Sequence, residues 1–148
     1  MSVRTKSFDI SPYRSRFEWE FANQMGDWGI TFKYEAERVP YLYPVQRGTC
    51  LSCGSKDVGR NAHYTPDFWL PAHKLWVEAK GKWTGAGRTK TLAVLNSENK
   101  INLSNFRIVF MYDNWTTKRH RQKYSNWCDN QGILYSVGID EFLYTLEK

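Results

Sequence analysis

The stretch YTPDF at residues 64–68, followed after a short turn by LWVEAK at residues 75–80, decides how this chain is interpreted. Side chains of a strand alternate between its two faces, so Glu78 and Lys80 are expected on one side of a strand. Asp67 arrives from the strand before. Two converging carboxylates suit a hard divalent cation such as Mg²⁺ or Mn²⁺, one or two per site. A neighbouring lysine can orient water or stabilise charge on a phosphate. The pattern therefore predicts a metal-dependent phosphodiesterase site.

The spacing from Asp67 to Glu-x-Lys is that of the nuclease signature PD…(D/E)xK, which also occurs by chance. A second Glu-x-Lys, at residues 98–100, lies in a polar stretch without an alternating strand. The alternative interpretation of Glu78 and Lys80 is an exposed salt bridge on a sheet face, which contributes little. The strand context and Pro66 before Asp67 favour the site.

Composition restricts the classes of protein. The chain has 148 residues, of which 41% are hydrophobic and 16% aromatic, as expected for one packed domain. Its net charge of +6 is compatible with a polyanionic partner. No apolar run approaches the length of a membrane span, and the first residues lack the apolar core of a signal peptide. Three cysteines without a secretion signal favour a reducing, cytoplasmic setting.

Hydrophobic periodicity predicts a mixed α/β domain with a mixed central β-sheet flanked by helices. A stripe of Phe17, Phe21, Met25 and Trp28 predicts a first helix from Ser15. The remaining predictions are strands at 31–37, 63–70, 74–80, 105–112 and 133–137, helices at about 89–99 and from about 124 to Gly132, and a short last helix capped by Asp140.

The predicted organisation is a flexible arm at 1–12 and a single domain at 13–148. Within that domain we expect a helix, a strand and a bridge at 13–45, a cysteine-containing loop at 46–62, and a metal-site core at 63–148. Residues 41–43 lie between two prolines, which confines them to a sheet edge or a bridge.

Four blocks, in order, resemble the phage endonuclease I family of Holliday-junction resolvases, which belongs to the PD-(D/E)xK nucleases. The resemblance covers roughly residues 13–137, and such an ordered set is less accidental than one motif. The blocks are YRSRFE at 13–18, GITFKYE at 29–35 leading to VPY at 39–41, YTPDF at 64–68 with VEAKG at 77–81, and YSNWCD at 124–129 with GI at 132–133.

The resemblance implies a restriction-endonuclease-like core in an intertwined, segment-swapped homodimer. It implies that Asp67 and Glu78 bind the metal, with the backbone carbonyl of Ala79 as a further ligand. Lys80 would be the catalytic lysine. Glu18 would assist a second metal, and because the subunits exchange segments it would complete the partner's site.

The sequence departs from the family pattern at two places. A family acidic position is occupied by Lys33, so that carboxylate is either dispensable or supplied by Glu35. The loop between the bridge and the metal site is also longer than in the family. It contains a pair of cysteines.

Cys50 and Cys53 have the spacing of half a zinc ribbon, and a structural Zn²⁺ there needs two further ligands. Candidates are His63 and His73, or the same cysteines of a partner subunit. The alternative is a pair of free thiols. Cys128 lies on an apolar helix face and is expected in the core.

Basic residues border the expected site or precede the third helix, where they can contact DNA phosphates; solvated surface charge is the alternative. The residues predicted to contact DNA are Arg14, Arg16, Lys82, Arg88, Lys90, Lys118, Arg119 and Arg121.

The function expected from these observations is Mg²⁺-dependent, structure-selective cleavage of branched DNA, especially four-way junctions, by a homodimer in the host cytoplasm. One alternative is a sequence-specific or nicking endonuclease on a similar scaffold. An alternative of another class is a zinc-containing DNA-binding module without catalysis.

Overall fold

The computed structural model describes residues 12–44, 59–119 and 121–146. In chain order the elements are α1 (Arg16–Asp27), β1 (Lys33–Tyr34), β2 (Val39–Pro44), β3 (Gly59–Tyr64), β4 (Phe68–Leu70), β5 (Leu75–Lys80), α2 (Gly85–Asn96), β6 (Phe106–Phe110), α3 (Tyr124–Gln131), β7 (Leu134–Val137) and α4 (Ile139–Leu146). The mixed α/β class predicted from the sequence is confirmed.

The central sheet has five strands in the order β1-β4-β5-β6-β7. The β1–β4 and β4–β5 pairs are antiparallel, whereas β5–β6 and β6–β7 are parallel. The parallel pairs are connected through α2 and α3, as parallel strands require a crossover. Strands β2 and β3 form a separate antiparallel pair.

Each face of the sheet packs against two helices, so β5 is buried on both sides. Leu75, Val77 and Ala79 share one core with α1 and α4. Trp76 lies in the other core, with side chains of α2 and α3 and of the β2–β3 pair. The alternation predicted for β5 is therefore confirmed. Its charged members, Glu78 and Lys80, follow Trp76 along the strand.

Helix α1 forms as its sequence predicts. The Ser15 hydroxyl accepts a hydrogen bond from the Glu18 N–H and caps the helix. Gly29 follows the helix with a φ of +72°, a conformation that favours glycine. Trp28, predicted as part of the apolar stripe, is exposed and makes an edge contact with Tyr144.

Three predicted boundaries are wrong. The strand predicted at 31–37 is reduced to β1, because Glu35 adopts a φ of +47° and turns the chain away. The strand predicted at 63–70 is two strands in different sheets, separated at residues 65–67 around Pro66, which lacks an N–H. Part of the predicted loop at 46–62 forms β3.

Two helices begin earlier than predicted. Helix α2 starts at Gly85 because the Thr84 hydroxyl accepts a hydrogen bond from the Gly87 N–H. Helix α4 starts at Ile139, so Asp140 lies in its first turn and does not cap it. Helix α3 ends at Gly132 as predicted, with a φ of +73°. Of the helices in the described ranges, none combines the length and apolar character needed to cross a membrane.

Phe21 connects α1 to the sheet and to α4. Its ring lies 5.1 Å from that of Phe68 and 5.4 Å from that of Phe142, measured between centroids, and it is fully buried. We expect Phe21→Ala to lower the free energy of unfolding by about 3–5 kcal/mol through lost burial and an unfilled cavity. The exposed Leu103→Ala is the control, with a change within about 0.5 kcal/mol. Urea unfolding measures both, and equal effects would contradict the packing described.

Candidate active site

The β4–β5 hairpin places Asp67 beside β5. Phe68 pairs with Val77 in the antiparallel hairpin. The same register places Asp67, one residue before β4, opposite Glu78 near the end of β5. Its carboxylate accepts a hydrogen bond of 2.8 Å from the Ala79 N–H. Its backbone carbonyl accepts another, of 2.9 Å, from the Glu35 N–H. Asp67 is thus fixed at both its side chain and its backbone.

Asp67 and Glu78 form a carboxyl pair with restricted access to water, because Glu78 is buried and Asp67 is partly buried. Burial raises the pKa of Asp67 to about 10, and the adjacent Glu78 adds to the shift through its charge and a hydrogen bond. The charge of Glu18 also raises it, while the Ala79 N–H opposes these effects. Without a cation, the pair therefore retains a proton at neutral pH.

The Lys80 ammonium lies 3.5 Å from the Glu78 carboxylate. The Glu78 side chain is only 8% exposed, whereas that of Lys80 is 31% exposed. A surface salt bridge, the alternative interpretation of this pair, has both partners in water, so it does not describe this contact. The second Glu-x-Lys differs, because Glu98 is exposed and follows the end of α2 outside any strand.

Glu18 is buried on the first turn of α1 and held at both carboxylate oxygens. One accepts a hydrogen bond of 2.7 Å from the Ser15 hydroxyl, and the other one of 3.0 Å from the Tyr34 hydroxyl. The Tyr34 hydroxyl in turn accepts from the Arg14 N–H at 3.1 Å. Burial, followed by the hydrogen bond and charge of Glu18, raises the pKa of Tyr34. Tyr34 therefore remains a neutral donor.

The chain that carries the carboxyl pair also supplies Glu18 here. Helix α1 packs against β5 and α4 of its own chain, and the charge of Glu18 acts on Asp67. The resemblance implies delivery of this glutamate from a partner chain. One folded chain thus contains the contacts that an exchanged dimer would make between chains.

Tyr64 closes one side of the pair. It is buried, and its hydroxyl faces the Glu78 carboxylate. Burial, together with the neighbouring Glu78 and Asp67 charges, raises the pKa of this phenol well above its usual value. The Lys90 ammonium lies 5.3 Å from the centre of its ring. Lys90 thus approaches the site through an aromatic contact.

The donor chemistry fits a hard divalent cation. Asp67 and Glu78 offer carboxylate oxygens whose mutual repulsion a cation would relieve. Across the parts of the chain that the structure describes, however, no three His, Cys, Asp or Glu side chains converge closely enough to bind a metal as a group. The residues thus supply a two-carboxylate site, with Glu18 near it. The Ala79 carbonyl remains a predicted ligand.

The predicted DNA-binding residues occupy different environments. Arg14 is paired with Glu35 at 2.9 Å, and Arg16 with Glu20 at 3.2 Å. The Arg88 guanidinium donates a hydrogen bond of 2.9 Å to the Trp83 carbonyl, so Arg88 also stabilises the start of α2. Arg14 and Arg16 are exposed despite these ion pairs, as are Lys82, Lys118, Arg119 and Arg121, whereas Arg88 and Lys90 are partly buried.

The departures from the family pattern are resolved only in part. Lys33 is exposed on β1, and the Glu35 carboxylate lies 2.9 Å from the Arg14 guanidinium. Cys50 and Cys53, the proposed zinc ligands, lie outside the described residues, as does the predicted arm except for Pro12. Cys128 is fully buried, as predicted.

Sequence reasoning missed three residues that shape this site. The first is Ser15. It has the S-x-x-E spacing of a capping box with Glu18, and this spacing could have predicted that Ser15 contacts the Glu18 side chain. Tyr34 lies in the predicted strand, but nothing in the pattern pairs it with α1. Tyr64 belongs to the YTPDF block, but the pattern gives it no role of its own. Its burial next to Glu78 depends on the separate β2–β3 pair.

Comparison with known proteins identifies the family of this chain. A model of the phage endonuclease I family matches residues 1–143. The chain is similar to Endonuclease I of Escherichia phage T7, with 30% identity over 130 residues, which cover 86% of this chain and 74% of that protein. It is also 30% identical over 126 residues to Endodeoxyribonuclease 1 of Enterobacteria phage T3, covering 84% and 70% respectively. The chain belongs to the phage endonuclease I family.

The raised pKa of Asp67 has a consequence for stability in EDTA. Below about pH 4 both folded and unfolded chains hold this proton. As the pH rises, the unfolded chain releases it first, so folding stability falls until the pH passes the folded-state pKa. Asp67→Asn should therefore become more stable than wild type by about 1–4 kcal/mol between pH 5 and pH 8.

Urea unfolding at several pH values measures this difference. The exposed Asp140→Asn serves as the control and should follow the wild-type curve. Parallel pH curves for Asp67→Asn and wild type would contradict a protonated carboxyl pair.

Proposed function

We propose that this protein is a Mg²⁺-dependent, structure-selective DNA endonuclease that resolves four-way junctions and related branched DNA. The observation that carries the proposal is the pair of the partly buried Asp67 and the buried Glu78, with the Lys80 ammonium 3.5 Å from the Glu78 carboxylate. The names of the relatives, an endonuclease and an endodeoxyribonuclease, support DNA as the substrate. A restriction-endonuclease-like core and an exchanged homodimer in the host cytoplasm belong to the same proposal.

Asp67 and Glu78 would hold the cation, and Glu18 would serve a second ion. When bound, a divalent cation supplies Lewis-acid polarisation of the scissile phosphate and lowers the pKa of water. The chain's own contribution is orientation. Asp67 is fixed by the Ala79 N–H, and Glu18 by hydroxyl donors, so little reorganisation is needed during the reaction.

Lys80 supplies a positive charge next to the attacked phosphate. Its ammonium can hydrogen-bond a water or a phosphate oxygen, and the neighbouring Glu78 keeps it at the edge of the buried pair. Its partial exposure allows it to reach a bound backbone. This placement suits electrostatic stabilisation of the pentavalent phosphate and positioning of the nucleophile.

Shape is the proposed basis of selectivity. The described elements include exposed cations near the site, and phosphate contacts of this kind fix position without reading bases. Binding through phosphates should weaken steeply as salt rises. A homodimer has two such active sites. On a symmetric four-way junction, each active site would lie against a different DNA strand.

Cleavage is tested with an internally matched pair of variants. Glu78→Gln removes one carboxylate of the buried pair, and Glu98→Gln makes the same change in the second, exposed Glu-x-Lys. With Mg²⁺, we expect Glu78→Gln to cut an end-labelled four-way junction about a hundred-fold more slowly than wild type, with Glu98→Gln within about two-fold. EDTA should abolish cutting by all three.

The substrates are several four-way junctions of unrelated sequence and their linear duplexes. The proposal expects cuts near every branch point and little on the duplexes. Cutting at one fixed sequence would indicate a sequence-specific endonuclease instead. Binding of DNA by wild type without any cutting in Mg²⁺ would indicate a DNA-binding module whose carboxylates are structural, and equal cutting rates for Glu78→Gln and wild type would remove Glu78 from the active site.

Exchange of α1 between subunits is tested by complementation. Glu18→Gln and Asp67→Asn are each expected to be inactive as homodimers. If Glu18 acts across the dimer, co-refolding the two variants creates one site with both acidic residues intact, and junction cutting returns to about a quarter of wild type for a statistical mixture. If Glu18 acts within its own chain, every site lacks one carboxylate.

Cutting that stays absent after co-refolding, with heterodimers verified by differential tags, would overturn the exchanged arrangement. A monomer in sedimentation at working concentration would do the same. Wild type refolded in parallel controls for recovery of active protein.

A further inference from the structure

The segment between β6 and α3 begins at the candidate site. The Met111 N–H donates a hydrogen bond of 2.9 Å to the Lys80 carbonyl, so the chain leaves the sheet beside the proposed catalytic lysine. We define residues 111–119 and 121–123 as the basic–aromatic loop. It connects two elements of the core, yet its own side chains are mostly exposed.

Backbone contacts give this loop a defined shape. Trp115 and Lys123 form an antiparallel bridge, and the Thr116 N–H donates to the Gln122 carbonyl at 2.7 Å. At its base, the Asp113 carboxylate accepts hydrogen bonds from the Ser125 N–H and hydroxyl. These contacts fix the backbone.

The side chains that project from the loop are aromatic and cationic. Tyr112 is 66% exposed and Trp115 is 39% exposed. The Lys123 ammonium lies 5.3 Å from the centre of the Trp115 ring. Lys118, Arg119 and Arg121 extend the positive charge in solvent. An ordered loop that exposes rings among cations has the chemistry of a surface that binds single-stranded nucleic acid.

Such rings can stack only on bases that are not already inside a duplex. Branched DNA offers such bases where pairing is interrupted at the branch point, which is where the proposed site must cut. We propose that the basic–aromatic loop binds unpaired nucleotides at the branch point, with Tyr112 and Trp115 as stacking residues. This inference rests on the proposed function and adds a determinant of substrate choice to it.

The test compares two four-way junctions with identical arms, one fully paired and one with two unpaired nucleotides at the branch point, in EDTA so that no cutting occurs. Wild type should bind the second more tightly by about five- to hundred-fold, the range of one stacked base. Tyr112→Ala and Trp115→Ala should lose most of this preference. Tyr112→Phe keeps the ring and should retain it.

Tyr144→Ala is the matched control, because Tyr144 is 61% exposed on α4, an element separate from the loop. A second readout is 2-aminopurine at the unpaired position, whose fluorescence should fall on binding to wild type and Tyr144→Ala and stay high with Tyr112→Ala. This signal reports stacking directly and does not depend on overall affinity.

The outcomes separate the two proposals. If wild type prefers neither junction to duplex and cuts no DNA with Mg²⁺, the proposed function fails. If wild type prefers junctions but the alanine variants keep the preference for unpaired nucleotides, the loop inference is overturned while the proposed function stands. Equal loss of affinity for both junctions would also overturn the stacking role, since it indicates phosphate binding alone.

Discussion

The hydrogen bond from the Ala79 N–H to the Asp67 carboxylate holds the candidate site together. It attaches the segment before β4 to β5, and so keeps a second carboxyl group beside Glu78 in a place with little water. Bringing two such groups together opposes folding in the absence of a cation, and the surrounding core must compensate. Phe68 and Val77, fully buried and paired across β4 and β5, contribute to that compensation.

The same constraint explains why the neighbouring elements are arranged around polar groups. Glu18 is buried, which is favourable only because hydroxyl donors satisfy both of its oxygens. Tyr34 supplies one of these donors from β1 and packs against Phe68, so it connects the first helix to the pair. A family of DNA-cutting enzymes can use such an arrangement, because carboxylates kept close together without a cation are ready to receive one.

The sequence predicts an element correctly where the local pattern of residues alone determines that element. Alternation along β5, the helix periodicity of α1 and the glycine after α3 predicted those elements correctly. Prediction from the sequence fails where contacts between distant parts of the chain determine the structure. Nothing local shows that Tyr64 and Phe68 enter different sheets, or that Glu35 turns the chain with a positive φ. The glycines of α2 concealed a helix start that the Thr84 cap provides.

The raised pKa of Asp67 implies that the carboxyl pair holds a proton until a cation replaces it. Calorimetric titration of Mg²⁺ at pH 7.5, in two buffers of different ionisation enthalpy, measures the protons released on binding. The account predicts release of about one proton per cation for wild type and close to none for Asp67→Asn. Binding by wild type without proton release would contradict it.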